Sequence, residues 1–272
     1  MDSGLHDKVV MITGASGGIG SGLVQAFTDE GARIVAHYDK NRNRAVALAD
    51  KLGRSRCIAL GADLCRENEV SGLFHQAEEG LGPIEVLVAN AGAWPPEDVG
   101  VEDMPLDRWQ ATLDTDLTSV FLCVREFFRG IRRSRLQAPA AVLIGSTAGI
   151  FGEAGHADYA AAKAGLIYGL ARSLKNEIAR LAPRGRINVV CPGWVRTPMT
   201  EGALADRKQV ERTLQTMPLR KIARIEDVAH AVVYLASDRL AGHISGDILT
   251  VAGGMEGRVL YTADELRGVE AS

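Results

Sequence analysis

Tyr159 and Lys163 stand four residues apart in Tyr159-Ala-Ala-Ala-Lys163, with Ser146 thirteen residues upstream. On a helix, residues i and i+4 share a face, so phenol and ammonium point the same way. A free phenol has a pKa of about 10. An ammonium about 4 Å away contributes about 4 kcal/mol at an effective dielectric near 20. The spacing therefore predicts a tyrosine drawn toward neutrality by its lysine and usable as a general acid or base. Taken alone, the same pair fits plain helix packing. Ser146 ends the run Val142-Leu143-Ile144-Gly145, where its hydroxyl can hold a substrate oxygen.

A second group lies near the start of the chain. Thr13-Gly14-Ala15-Ser16-Gly17-Gly18-Ile19-Gly20 follows the apolar run Val9-Val10-Met11-Ile12. Glycines in that pattern permit a tight turn, a close approach of pyrophosphate and close packing of helix on strand. The helix N-terminus offers unpaired N–H groups and a positive dipole end to phosphate. A dinucleotide at one end and a proton-transferring tyrosine at the other imply a nicotinamide-dependent oxidoreductase. Asp39, after the second strand, favours the free ribose hydroxyls of NAD, whereas Lys40 and Arg42 favour the 2′-phosphate of NADP. With Gly17 where a base could stand in the loop, the balance tips to NAD.

These residues must be positioned by a scaffold. Strands are expected at Val9–Ile12, Arg33–His37, Cys57–Leu60, Val86–Ala89, Ala141–Ile144, Arg186–Cys191 and Ile248–Val251. Helical patterns fall near Gly18–Glu30, Asn41–Leu52, Glu67–Gly80, Leu106–Arg133, Ala157–Leu181 and Ile225–Ser237. Alternating strands and helices predict one α/β domain, a doubly wound parallel sheet covered on both faces, with strand order 3-2-1-4-5-6-7. At 272 residues the chain is read as a single domain, its core about 8–254, followed by an extension 255–272.

Composition excludes several classes. A net charge of −3 gives no general case for nucleic acid or an anionic membrane. No apolar run is long enough to span a bilayer, and Met1–Asp7 lacks a signal-peptide core. Cys57, Cys65, Cys123 and Cys191 show neither CxxC spacing nor a disulfide pattern, and the six histidines are scattered. A cytoplasmic, metal-free protein is expected. Arg129, Arg132, Arg133 and Arg135 read as cations at a helix C-terminus, or as a docking patch for an acidic partner.

Together, Thr13–Gly20, Ala89-Asn90-Ala91-Gly92, Ser146, Tyr159-x-x-x-Lys163 and Pro192-Gly193-Trp194-Val195-Arg196-Thr197-Pro198 resemble the short-chain dehydrogenase/reductase family. Within it the chain looks most like 3-oxoacyl-[acyl-carrier-protein] reductases and related ketone reductases. The resemblance implies a Rossmann fold and a homotetramer. It also implies a small carbonyl or alcohol substrate, with acyl carrier protein as a partner. Gly14, Ser16, Gly18, Ile19 and Gly20 would cradle pyrophosphate, and Asp63 and Leu64 would contact adenine. Asn90, Ala91 and Gly92 would line the cofactor ribose, and Pro192, Gly193, Val195 and Thr197 the nicotinamide end. Tyr159 would donate the proton, Ser146 would stabilise the carbonyl oxygen, and Lys163 would bind the ribose.

The chain departs from the family pattern at three positions. Ala89 replaces an asparagine and Ala252 an aspartate. Asp116, seven residues after Trp109, replaces a catalytic asparagine whose backbone carbonyl holds a relay water. A carboxylate there would favour the Lys163 ammonium or itself be driven toward protonation. The relay, and activity, are expected to survive. Substrate contacts are expected from Trp94, Glu153 and His156, and a lid from Met199 to about Met217. Alternative readings are a sugar, polyol or steroid dehydrogenase, or a dinucleotide-binding sensor or scaffold without turnover.

Overall fold

The computed structural model describes residues 2–259, 262 and 264–266. Seven parallel strands form one sheet in the order β3-β2-β1-β4-β5-β6-β7, as the sequence pattern predicts. They are β1 Val9–Ile12, β2 Arg33–Tyr38, β3 Cys57–Gly61, β4 Val86–Ala89, β5 Ala140–Ile144, β6 Arg186–Pro192 and β7 Ile248–Val251. Every residue of β1, β4, β5 and β6 is buried, because helices cover both faces. The outer strands β3 and β7 carry partly exposed residues. A central strand buried on both sides needs an unbroken apolar run, which Val9-Val10-Met11-Ile12 and Val86-Leu87-Val88-Ala89 supply.

Helices α1 Gly18–Asp29, α2 Arg42–Leu52 and α3 Glu67–Leu81 follow the first three strands. Two apolar cores flank the sheet. One holds Phe74, Phe127 and Ile178; the other holds Phe27, Leu23 and Val232. Each expected long helix of the catalytic half is interrupted. The stretch 106–134 runs as α4 Leu106–Leu113, a π-helical turn Asp114–Thr118, and α5 Ser119–Ser134. After β5 and the short α6 Ala148–Phe151, the stretch 157–181 runs as α7 Ala157–Ala164, a π-helical turn Gly165–Leu170, and α8 Ala171–Leu181. The periodicity of apolar residues does not reveal such widened turns. A π turn rotates the residues around it, and such turns concentrate at functional sites. Here the two turns abut, and a side-chain carbon at Gly165 would lie 3.3 Å from Leu117 Cδ2.

The stretch expected as a lid folds into α9 Glu201–Ala205 and α10 Arg207–Leu214, the latter capped by Asp206, which accepts from the Lys208 N–H at 2.9 Å. Then come α11 Ile225–Ala236 and α12 Asp238–Ala241. In the extension, Leu266 is buried against Leu214 and Ile222 beneath this lid; Tyr261 lies outside the described residues. Of the four arginines near the end of α5, Arg129 pairs with Glu126 at 2.6 Å and Arg133 with Glu78 at 2.8 Å. Arg135 adopts a left-handed conformation that closes the helix. Among the described residues no helix is long and apolar enough to cross a membrane, and no group of His, Cys, Asp or Glu is placed to hold a metal ion.

Candidate active site

The strand order reverses between β1 and β4, and ligands of open α/β sheets bind outside the carboxyl ends of strands at such a point. A cavity of about 970 Å³ opens there, running from the glycine loop past Ser146, Tyr159 and Lys163 to Trp94 and Glu153. At its nucleotide end the loop is held by hydrogen bonds from three strands. Thr13 Oγ1 accepts from the N–H groups of Asn90 and Ala91, both at 2.9 Å. Asn90 Nδ2 donates to Thr13 O at 2.9 Å. The Gly14 N–H donates to His37 Nδ1 at 3.1 Å, and His37 Nε2 donates to Ala62 O at 3.0 Å. That double use requires a neutral ring, and burial pushes the His37 pKa down accordingly. Nothing in the sequence pattern singles out His37, since its role is to carry a backbone.

The glycine loop has the shape a phosphate cradle needs. Gly14 has φ +65, a left-handed conformation that favours glycine. A Cβ at Gly20 would lie 2.1 Å from Gly14 O. The loop thus keeps its backbone open toward the cavity and suits a pyrophosphate. Ser16, Gly18, Ile19, Asp39, Leu64, Ala91, Gly92, Pro192, Gly193, Val195 and Thr197 all line the cavity. Lys40 lines it too, beside Asp39. Asp63 lines it, but its carboxylate is already engaged. It accepts from the Cys65 N–H at 2.9 Å and from Arg66 at 3.1 Å, which hold it below the usual carboxylate range.

Ser146, just past the end of β5, accepts from the Ala148 N–H at 3.1 Å. Tyr159 and Lys163 project from α7 into the same cavity, with Lys163 Nζ 5.6 Å from the Tyr159 ring centre. Gly149 lets α6 press on the Lys163 backbone, since a Cβ there would lie 2.7 Å from the Lys163 carbonyl carbon. Lys163 Nζ donates to Ile144 O at 3.2 Å and meets Asp116 Oδ1 at 3.1 Å. Asp116 is wholly buried, on the π turn, and accepts weakly from the Ala93 N–H at 3.3 Å.

The electrostatics correct one expectation. Burial pushes the Tyr159 hydroxyl above the ordinary phenol range; Lys163 pulls it down, but Asp116 pushes it back up. The i, i+4 spacing taken alone predicts that the lysine wins. For Lys163, burial acts downward, yet the Asp116 carboxylate wins and its pKa rises, so the ammonium is kept. Burial raises Asp116 against the pull of Lys163.

At the substrate end, Trp94 stacks on His156 with ring centres 4.8 Å apart and meets Trp194 edge-on at 6.5 Å. Trp94 Nε1 donates to Glu153 Oε1 at 3.2 Å. Trp94 and Glu153 line the cavity, but His156 does not. It sits immediately before α7, buried behind Trp94, with Nε2 on Pro95 O at 2.8 Å. The substrate contact expected of His156 is therefore corrected to a backing role. Phe151, Gln209, Arg212 and Thr216 line the cavity from within segments expected to form the substrate pocket, though sequence reading does not single them out, and it misses Met255. Phe151 ends α6, Gln209 and Arg212 lie on α10, and Thr216 and Met255 lie in loops, so no single spacing unites them.

A family model described as enoyl-(acyl carrier protein) reductase matches residues 14–256. A solved short-chain dehydrogenase/reductase, "Glucose/ribitol dehydrogenase" from Brucella melitensis, superposes with a TM-score of 0.84 at 27% identity, covering 94% of this chain and 99% of that one. The chain belongs to the short-chain dehydrogenase/reductase family. As a short-chain dehydrogenase/reductase it is an oxidoreductase acting on the C=O/CH–OH pair. Similar curated relatives are 3-oxoacyl-[acyl-carrier-protein] reductases. That of Synechocystis is 35% identical over 92% of this chain and 98% of its own. That of Chlamydia muridarum is 33% identical over 94% and 100%, and that of Escherichia coli K12 is 34% identical over 91% and 97%.

Proposed function

We propose that the protein transfers hydride reversibly between a nicotinamide dinucleotide and a ketone or secondary alcohol, with a 3-oxoacyl thioester as the first substrate to test. The observation that carries this reading is the single continuous cavity joining the glycine loop to Ser146, Tyr159 and Glu153. A nicotinamide dinucleotide supplies or accepts the hydride when bound. The glycine loop and the α1 N-terminus would hold its pyrophosphate. Lys163 would hold the adjoining ribose. Ser146 would orient the carbonyl oxygen, and Tyr159 would pass its phenolic proton to that oxygen. Trp94, Trp194 and Phe151 wall the substrate side.

Asp39 in the cavity wall supports NAD over NADP, with Lys40 beside it as the opposing influence. The activity of these relatives supports an acyl-carrier-protein thioester as substrate. Phe121 on α5 and Tyr168 on the second π-helical turn are exposed apolar surface that assembly as a homotetramer would cover. A sugar or polyol substrate is a second reading, favoured by the polar Glu153 in the pocket. Oxidation of NADH and NADPH, followed by absorbance with an acetoacetyl thioester and a panel of ketones and sugars, tests the reading. Turnover that disappears in Tyr159→Phe is the expected result. Cofactor binding without turnover on any substrate would favour a sensor.

A further inference from the structure

Lys163 meets a buried carboxylate. Asp116 Oδ1 lies 3.1 Å from Lys163 Nζ, and both side chains are almost wholly buried. The fit is specific, because a side-chain carbon at residue 92 would lie 2.4 Å from that oxygen, so Gly92 makes its space. The groups facing this pair come from the loop after β4, whose Ala93 N–H donates to Asp116, and from β5, β6 and α7. From β5 the Ile144 carbonyl accepts from Lys163. From β6 comes the Cys191 thiol, pushed up by burial to about 12 and therefore uncharged. From α7 come Tyr159 and Asp158, and beyond Tyr159 stand Ser146 and Glu153. Asp158 is held by Arg108 at 3.0 Å and Thr112 at 2.8 Å. Burial pushes the Glu153 carboxyl up.

The tyrosine therefore faces a lysine whose charge is already matched. We infer that Asp116 is a positioning residue that, by pairing with Lys163, keeps Tyr159 in its proton-donating form and sets the site for carbonyl reduction across the neutral range. The inference rests on the hydride-transfer reading above. In reduction, hydride adds to the carbonyl carbon, the phenolic O–H breaks, and the alcohol O–H forms; the phenolate then regains a proton from solvent. In oxidation the phenolate must exist first, to take the hydroxyl proton. A phenol that keeps its proton to high pH serves the first direction and starves the second. The overall equilibrium is untouched; the pH range in which each direction runs is what moves. The direction found for Tyr159, with burial foremost, Lys163 opposing and Asp116 reinforcing, agrees with this geometry.

The test compares pH profiles of kcat/KM in both directions for the full chain and Asp116→Asn, with folding and cofactor binding measured alongside. The amide variant is expected to move the rising limb of alcohol oxidation to lower pH. Oxidation at pH 7 should gain several-fold relative to reduction. Limbs that stay in place, or move upward, overturn the inference. A second measurement needs no change at residue 116: an ultraviolet titration of tyrosinate, wild type minus Tyr159→Phe. A Tyr159 signal arising only above about pH 10, the ordinary phenol value, supports the inference, and one arising below it overturns it. Turnover that survives Tyr159→Phe would instead overturn Tyr159 as the proton donor of the proposed reaction, and this inference with it. Tyr159-dependent turnover with an unmoved Asp116→Asn profile overturns this inference alone.

Discussion

The two ends of the cavity are built from different materials. At the nucleotide end the lining is mostly backbone: a glycine loop pinned by Thr13, Asn90 and His37 to three neighbouring strands. At the substrate end the lining is side chains from separate segments, with Trp94, Glu153, Trp194 and Thr216 brought together only by the fold. Backbone geometry tolerates few substitutions and so leaves a pattern of glycines. A wall of side chains can be rebuilt residue by residue, and one fold therefore hosts many substrates.

The largest effect that would break this contrast is at Gly20. A Gly20→Val variant forces a side chain against Gly14 O, where even a Cβ would lie 2.1 Å away. Cofactor affinity is expected to fall by more than about 100-fold, given the close packing this position serves. Calorimetric titration with NADH measures it, and retained affinity would show that the loop is not the binding element. Next is Glu153→Ala at the other end. It should raise KM for hydroxylated ketones by about tenfold, the cost of one charge-assisted hydrogen bond, and leave the cofactor Kd unchanged. A change in cofactor Kd of similar size would mean the two ends are not separate.

Asp39→Ser should move the NADH/NADPH preference toward NADPH by about tenfold, by removing repulsion of a 2′-phosphate. An unchanged ratio of kcat/KM would remove Asp39 from cofactor choice. The smallest effect is at His37. Its pKa is depressed in the folded protein, so the neutral ring contributes fully above the unfolded value of about 6.5 and its contribution is lost as pH falls from there through the folded value. Thermal stability and cofactor affinity should both decline on acidification, the latter about threefold for one weakened hydrogen bond. His37→Phe should flatten that part of the pH dependence, which scanning fluorimetry at a series of pH values would detect.

The same contrast explains what is legible in the sequence. The strands and their order can be read because a doubly covered sheet demands continuous apolar runs, and Val9–Ile12 and Val86–Ala89 stand where the pattern puts them. Tyr159, Lys163 and Ser146 are legible because an i, i+4 pair and a strand end are local features. The π turns at Asp114–Thr118 and Gly165–Leu170 are not, since one extra residue per turn barely disturbs an apolar stripe over a long helix. His156 is misplaced for a related reason. Sequence puts it beside Glu153, where it stays, but the start of α7 turns it behind Trp94 and out of the cavity lining. The upward push on Tyr159 depends on depth of burial, which no spacing reports.

Leu266 gives the far end of the chain a practical meaning. Because it is buried beneath α10 with Leu214 and Ile222, whatever is attached or cut close behind it acts on the cover of the substrate pocket. The sheet and the glycine loop would not feel it. An affinity tag fused at that end is expected to read out as altered substrate specificity in an otherwise sound enzyme, so kinetic work calls for a tag elsewhere. By the same connection, substitution of Leu266 offers a way to retune substrate choice without touching a catalytic side chain.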